Sequence, residues 1–507
     1  MFKYRILSLA MCFFLLFSLM GCNSNTEKAY LYFELPEIPS TVDPQTAKTD
    51  AELIIVKNIY EGLMRKDADG KTVLGAAESI SQDGLTYTFT LRDGITWDND
   101  TAVTADDFVF GIRRALDPDT KSPFASRLFS VKNAKSVNSG KTSPENLGVI
   151  AIDDKTVKFT LEYEDEKFLE TLTTSVAMPC NEKFFNDSKG KYGLFRENII
   201  SNGSYRLTKW NKESFGIRLY KNENYKGGFE ARNAAVFLTC NPETPVTEKL
   251  SDGDIDIAFI ETAERDNMEA KGFRTESFET DCWVMTFSDK LSLSMRTALL
   301  KLVGADVYKN SLYSGYSPAD SLFPDILNVN ADSSGITPYN LEEGKNLYSS
   351  EIKSYKDKKF PSDIVLKYYN DGYIKDTVTD IVGHWQSQLS AFINIEAVDS
   401  PDVLLPQLKE QTQTIAIFPV SANGNYLEEY LENFGVTYNG ENVSQIQAEL
   451  LKSKKMTPIV FEDTTVCYSP QIKEISVDAG NGFIDFSFVV KEENYNTITG
   501  NLQSSPI

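Results

Sequence analysis

The stretch DGLTYTFTLRDGITWDNDTAVTADDF, residues 83–108, carries two local signals and one ambiguity. Residues 85–91 alternate large apolar side chains with threonines, the period-two pattern of a strand with one buried face, between the turn sequences Asp83-Gly84 and Asp93-Gly94. Thr104 then opens a helix. Thr-Ala-Asp-Asp is a capping pattern, with acids set against the positive helix end, and Phe108, Ile112, Ala115 and Leu116 share one face before Asp117-Pro118 stops the helix. The ambiguity is Asp98, Asp100, Asp106 and Asp107, which a divalent-metal loop could also place together. With Asp98 as the first ligand of such a loop, Ala102 falls on a ligand position, Val103 stands where glycine is needed, and Val109 where a bidentate acid is needed. The acids are therefore read as turn and cap residues, and no metal site is expected.

Working outward, residues 30–35 read as a strand and residues 51–64 as a helix, with the break Asp43-Pro44 between them. Residues 203–207 and 216–220 read as paired strands, 247–253 as a short helix with a glycine stop, and 255–260 as the strand it feeds. Residues 364–368 are a further strand. Ile374, Val378, Ile381, Trp385 and Leu389 then form an apolar helical stripe. Residues 392–398 and 414–420 read as strands flanking a helix near 403–410, and 443–451 as a last helix. Strands alternating with helices in both halves of 507 residues predict mixed α/β lobes, and the length predicts about two to four structural units.

The formal charge of -22 excludes nucleic acid as a partner, since its phosphates would be repelled. Lys3 and Arg5 precede an apolar run at residues 6–20, shorter than the ~20 residues that span a bilayer as a helix. The run ends Leu19-Met20-Gly21-Cys22. This resembles the bacterial lipobox, in which the cysteine is acylated and the chain is cut just before it. It implies a signal peptide over 1–21, lipid on Cys22, a tether over 22–29, and a body held outside the cytoplasmic membrane, at a cell surface or in a periplasm. Each buried methylene of the acyl chains contributes about 0.8 kcal/mol to attachment. Cys180, Cys240, Cys282 and Cys467 remain, dispersed and without CxxC spacing; buried free thiols are expected, with a disulfide as the alternative. His384 is the one histidine, HExxH and GxSxG patterns are absent, and Gly140-Lys141-Thr142 lacks the first glycine of a phosphate loop, with Lys135 in its place. Neither catalysis nor a cofactor is expected.

Several motifs recur in one order: Asp43-Pro44, YEGL at 60–63, Asp69-Gly70, GAAE at 75–78, then 83–108 and RALDP at 114–118. NGSY at 202–205, Lys221-Asn222, Tyr225 and LSDGDID at 250–256 follow. Together they resemble the extracellular solute-binding proteins of family 5, the oligopeptide-binding lipoproteins of ABC transporters. The resemblance is specific over residues 30–260 and looser beyond. It implies a two-lobed, periplasmic-binding-protein-like α/β fold with an extra domain and a hinged cleft. Lobe I would comprise 30–60, 181–281 and 468–507, the extra domain 61–180, and a trimmed lobe II 282–467.

By the same resemblance, a peptide or similar extended solute would be held between the lobes by a monomer and passed to ABC permease and ATPase subunits. The ligand-facing positions would be Thr49 and Asp50, then Cys282 and Trp283, and the segment Val420, Ser421, Ala422, Asn423 and Asn425. Family members place an aspartate in that last segment to meet the ligand's α-ammonium. Residues 418–426, FPVSANGNY, contain no acid, and Pro419 removes a backbone donor. Asn423 or Asn425 would leave a neutral amide there. These departures keep open a second reading, a peptide-signal receptor or surface interaction protein with an altered or lost ligand site.

Overall fold

The computed structural model describes residues 29–211, 216–410, 414–422, 426–438, 440–478 and 483–492. Strand β1 (Tyr30–Glu34) buries Leu31 and Phe33 on one face. Helix α1 (Asp50–Ile59) follows, and it ends at Ile59 rather than at residue 64. The Ile59 carbonyl accepts the Gly203 N–H at 2.9 Å, and a Cβ on Gly62 would lie 2.7 Å from the Leu172 carbonyl oxygen. The chain is drawn out there, and Met64–Lys66 pairs with Thr72–Leu74 instead.

Strands β2 (Ala77–Asp83) and β3 (Thr86–Leu91), helix α2 (Ala105–Leu116), and strands β4 (Val149–Asp153) and β5 (Thr156–Thr160) form a compact unit. Its antiparallel sheet has the order β2-β3-β5-β4, with Tyr87, Phe89 and Leu91 of β3 buried against α2 and its neighbours. The acids of 98–107 serve this unit. Asp107 is 5% exposed, and its carboxylate accepts the Thr104 N–H at 2.9 Å, Trp97 Nε1–H at 3.1 Å and Asn181 Nδ2–H at 3.1 Å. Asp98 accepts the backbone N–H and hydroxyl of Ser201.

Strands β6 (Tyr205–Asn211), β7 (Gly216–Lys221), β8 (Ala235–Thr239) and β9 (Ile257–Ile260) complete the first lobe around β1. β10 (Arg274–Thr286) leads into the second lobe, which holds β11 (Tyr316–Pro318), β12 (Val365–Tyr369), helix α3 (Lys375–Leu389), β13 (Asn394–Val398), β14 (Ile415–Ser421) and helices α4 (Leu427–Glu432) and α5 (Val443–Lys452). β15 (Met456–Tyr468) returns to the first lobe. Residues 401–408 form two short 3-10 turns and not the expected helix, because Pro401 and Pro406 lack the N–H groups that a continuous ladder needs. The four described cysteines outside the N-terminal segment are buried and unpaired.

One sheet of 11 strands runs through the molecule in the order β13-β12-β14-β10-β15-β9-β1-β8-β7-β6, with β11 beside β15. Its two halves have separate cores. Leu31, Phe33, Ile257, Val466 and Tyr468 belong to one, while Trp283, Met285, Ile417 and Val460 belong to another. This is the two-lobed α/β architecture expected, and β10 and β15, each 13 residues long, cross between the lobes.

Replacing Asp107 strands three donors in the first lobe. Asp107→Ala is expected to lower the free energy of unfolding by roughly 1–3 kcal/mol in denaturant titration. Asp106→Ala, exposed one residue earlier, should stay within about 0.5 kcal/mol of the parent.

Candidate ligand-binding site

Between its two apolar ends β15 reads Glu462-Asp463-Thr464-Thr465, and β10 beside it reads Glu276 to Asp281, so the middle of the crossing ribbon is polar. One level of the sheet gathers the polar groups of four strands. Ser421 of β14 faces Asp281 of β10, Asp281 faces Glu462 of β15, and Glu462 faces Tyr316 of β11. The next level toward the second core is apolar, with Pro419, Trp283, Val460 and Pro318 in line. Carboxylates at 281 and 462 thus stand directly opposite each other in an antiparallel pair, an arrangement that is destabilising when both are ionised.

Neutral donors hold this row in place. Glu462 accepts Trp283 Nε1–H at 2.6 Å and the Tyr316 hydroxyl at 2.7 Å, and Asp281 accepts the hydroxyls of Ser421 and Thr280. The Tyr316 hydroxyl also lies 2.9 Å from Asp371, whose other oxygen accepts the Tyr373 and Ile374 N–H groups at 2.8 Å ahead of α3. Trp283 stacks on Tyr369 with ring centroids 6.0 Å apart, and Tyr316 packs against Tyr373.

Burial, followed by the neighbouring Asp281, pushes the Glu462 carboxyl well above the usual carboxylate range; burial also raises Asp281. Carboxylates of the first lobe converge on the same space. Asp50, at the start of α1, is pushed up to about 6 by burial, then by Glu37 and Asp281. Asp50 nonetheless has an exposed side chain. Glu261 is raised by burial and then by Asp371 across the gap, and Glu279 is pushed up to about 7 by burial, with Asp325, Asp463 and Asp320 adding to it. Among the described residues Asp50, Glu261, Asp281 and Glu462 form no ion pair, and every charged group acting strongly on them is another acid. Among the described residues, no cation is paired with these acids.

The backbone beside the row is open. β14 pairs with β12 only as far as Ile417, so among the described residues its end, 418–421, has a strand on one side alone, β10. A chain laid along that edge would meet Asp281 and Ser421 as it does so.

The structure divides the residues singled out from sequence. Asp50 and Ser421 lie at the acid row, and Trp283 contributes its indole N–H to it. Thr49 is the N-cap of α1. Cys282 is fully buried, its thiol turned toward the Ser321 carbonyl, and Val420 and Ala422 pack in the same apolar cluster, so their side chains face away from the row. Asn423, Asn425 and Cys22 lie outside the described residues. Sequence reasoning missed Asp281, Glu462, Tyr316 and Asp371. The available signal was the acid run within otherwise apolar 13-residue strands. His384, on α3, is near the Tyr339 hydroxyl at 3.3 Å and takes no part in the row.

Comparison with known proteins identifies relatives of the chain and of its fold. The family described as bacterial extracellular solute-binding proteins, family 5 Middle, matches residues 71–442. The oligopeptide-binding protein OppA of Bacillus subtilis is 33% identical over 270 residues, covering 50% of this chain and 49% of that protein. The dipeptide-binding protein of Lactococcus lactis is 30% identical over 261 residues, covering 50% and 47%. The chain spans about half the length of the curated relatives it matches. In fold, it is similar to Listeria monocytogenes OppA bound to peptide, with a TM-score of 0.70 at 19% identity over 92% of this chain and 99% of the other.

The raised carboxyls give the ligand-free protein a definite pH response. A carboxyl whose pKa is higher folded than unfolded contributes stability that is complete below the unfolded value and lost as pH rises through the folded one. Unfolded Asp and Glu titrate at ~4, and Asp50, Glu279 and Glu462 fold to about 6, about 7 and about 8, so their contribution to thermal stability should fall across pH 4 to 8, with Glu462 setting the upper part of the fall. Asp281→Asn combined with Glu462→Gln should flatten that fall in melting curves. An unchanged slope would exclude the acid row as its source.

Proposed function

The chain belongs to the bacterial extracellular solute-binding proteins, family 5, and from that premise we propose that it captures a cationic peptide, or a similarly extended basic solute, between its lobes and delivers it to an ABC importer. The observation that carries this reading is the row Ser421, Asp281, Glu462 and Tyr316 beside the open end of β14. The acid missing from residues 418–426 is supplied by the neighbouring strand β10 and by β15 beyond it. A ligand ammonium seated there offsets one of the two facing negative charges and separates the carboxylates, and the ligand backbone extends along β14 past Pro419. Charge-assisted hydrogen bonds of this kind contribute roughly 1.5–3 kcal/mol each.

In this reading residues 30–60, 181–281 and 468–507 act as lobe I, 61–180 as the extra domain and 282–467 as lobe II; separate cores support the division between the two lobes, while residues 61–180 share the core of lobe I. Closure over the solute creates the form that permease and ATPase subunits distinguish, and the chain itself does no chemistry. Lipid on Cys22 tethers a monomeric body to the outer side of the cytoplasmic membrane. Mass spectrometry of the membrane-extracted protein reads that tether directly: a diacylated cysteine at the mature N-terminus supports it, and an unmodified Met1 terminus removes it.

Binding is tested on protein stripped of ligand by unfolding and refolding, using tri-lysine, tri-alanine and tri-glutamate in calorimetry. Tri-lysine should bind tightest, and N-acetylation should weaken it by about tenfold or more, the equivalent of one lost charged contact. Asp281→Asn with Glu462→Gln should lose at least as much while raising the ligand-free melting temperature. Equal affinity for all three peptides, or preference for tri-glutamate, would overturn the cationic reading.

A further inference from the structure

Resting on the two-lobed capture reading, we propose that Arg127 is a positioning residue of the cleft: it clamps the segment following β14 and closes the seam between residues 61–180 and the second lobe. Arg127 lies in the short turn Ala125–Leu128, far in sequence from the ligand row. Its Nε and one terminal nitrogen donate to the two oxygens of Glu429 at 2.7 and 2.8 Å, a planar fork-on-fork contact with α4. The guanidinium lies between two rings, 4.2 Å from the centroid of Phe124 and 3.7 Å from that of Tyr426. One ring and the arginine come from the first unit; the other ring and the carboxylate come from the second. The two charged side chains are 6% and 16% exposed.

Tyr426 stands five residues beyond Ser421, so the clamp holds the chain at Tyr426 and Glu429, close in sequence to the acid row. The seam behind it has the make-up of an interface that parts and re-forms. A cavity of about 130 Å³ is lined by Arg127, Ser130, Tyr163, Lys167, Thr171 and Tyr426 among others, room for a few waters. Among the described residues the Ser130 hydroxyl is buried in it with no hydrogen-bond partner, whereas a permanent seam would be packed and apolar. Elsewhere across the cleft the lobes meet acid against acid, at Glu261 with Asp371. The clamp opposes that repulsion, and a cationic ligand removes it.

The test measures amide hydrogen exchange by mass spectrometry on the full chain in detergent, without ligand, for Arg127→Gln, Glu429→Gln and both together. Each single variant should speed exchange across residues 426–432 by about tenfold, and the double variant should add nothing further, because the two groups act as one contact. Exchange in β10 and β15 should not change, which separates a released clamp from general loss of folding. With tri-lysine as probe, Arg127→Gln should release it about tenfold faster with association altered less than about twofold. Unchanged exchange in both single variants, or additive effects in the double, overturns the clamp. If the parent protein fails to bind tri-lysine, the capture reading falls while the exchange result still decides the clamp.

Discussion

The antiparallel pairing of β10 with β15 is the contact on which the rest of the molecule depends. Two strands of 13 residues run side by side from one core to the other, and β15 places Val466 and Tyr468 in the first and Val460 in the second. Neither end can shift without opening a core, so the strands' centre is fixed between the lobes as the floor of the cleft. A bulge between Glu279 and Asp281 leaves Thr280 without an opposite residue, and it is this offset that sets Asp281, not Thr280, against Glu462. The acid row is thus a consequence of register.

That row is an unfavourable arrangement kept in place by a favourable one. Like charges directly opposite on a sheet repel, and burial raises both carboxyls further. The tryptophan and hydroxyl donors of Trp283, Tyr316, Ser421 and Thr280 orient the oxygens without neutralising them. In the proposed reading a ligand cation does what these donors cannot, because it supplies charge. Its free energy of binding includes relief of repulsion already present in the fold, and the same relief extends to the acids that face each other across the gap. Recognition and closure therefore draw on one electrostatic source.

How much of this was legible in the sequence follows from how far apart the interacting residues lie. The strand at residues 86–91, the capped helix from Ala105 and the paired strands after Tyr205 are local patterns, and the structure contains them within a residue or two. The helix expected to reach residue 64 stops at Ile59 because its end is satisfied by Gly203, a partner more than a hundred residues away. The acid row is less legible still. Residues 281, 316, 421 and 462 come from four strands, and a reading confined to 418–426 finds no acid because the acid is on the strand next to it. Periodicity reports which face a residue takes; it does not report which strand lies alongside or where a bulge moves the register.

The density of acids along the chain was the misleading quantity, and the state of their partners is the informative one. Residues 98–107 hold four aspartates, yet the buried Asp107 is surrounded by N–H donors from Trp97, Thr104 and Asn181, and Asp98 by those of Ser201. Those carboxylates are complete within the fold, as caps and turn anchors are. Asp281 and Glu462 are two acids from separate stretches, each oriented by neutral groups and each facing the other. Folding alone cannot complete them. A carboxylate whose hydrogen bonds are made but whose charge is not met marks the place where the protein expects something from outside, and that distinction becomes visible only when the strands are laid side by side.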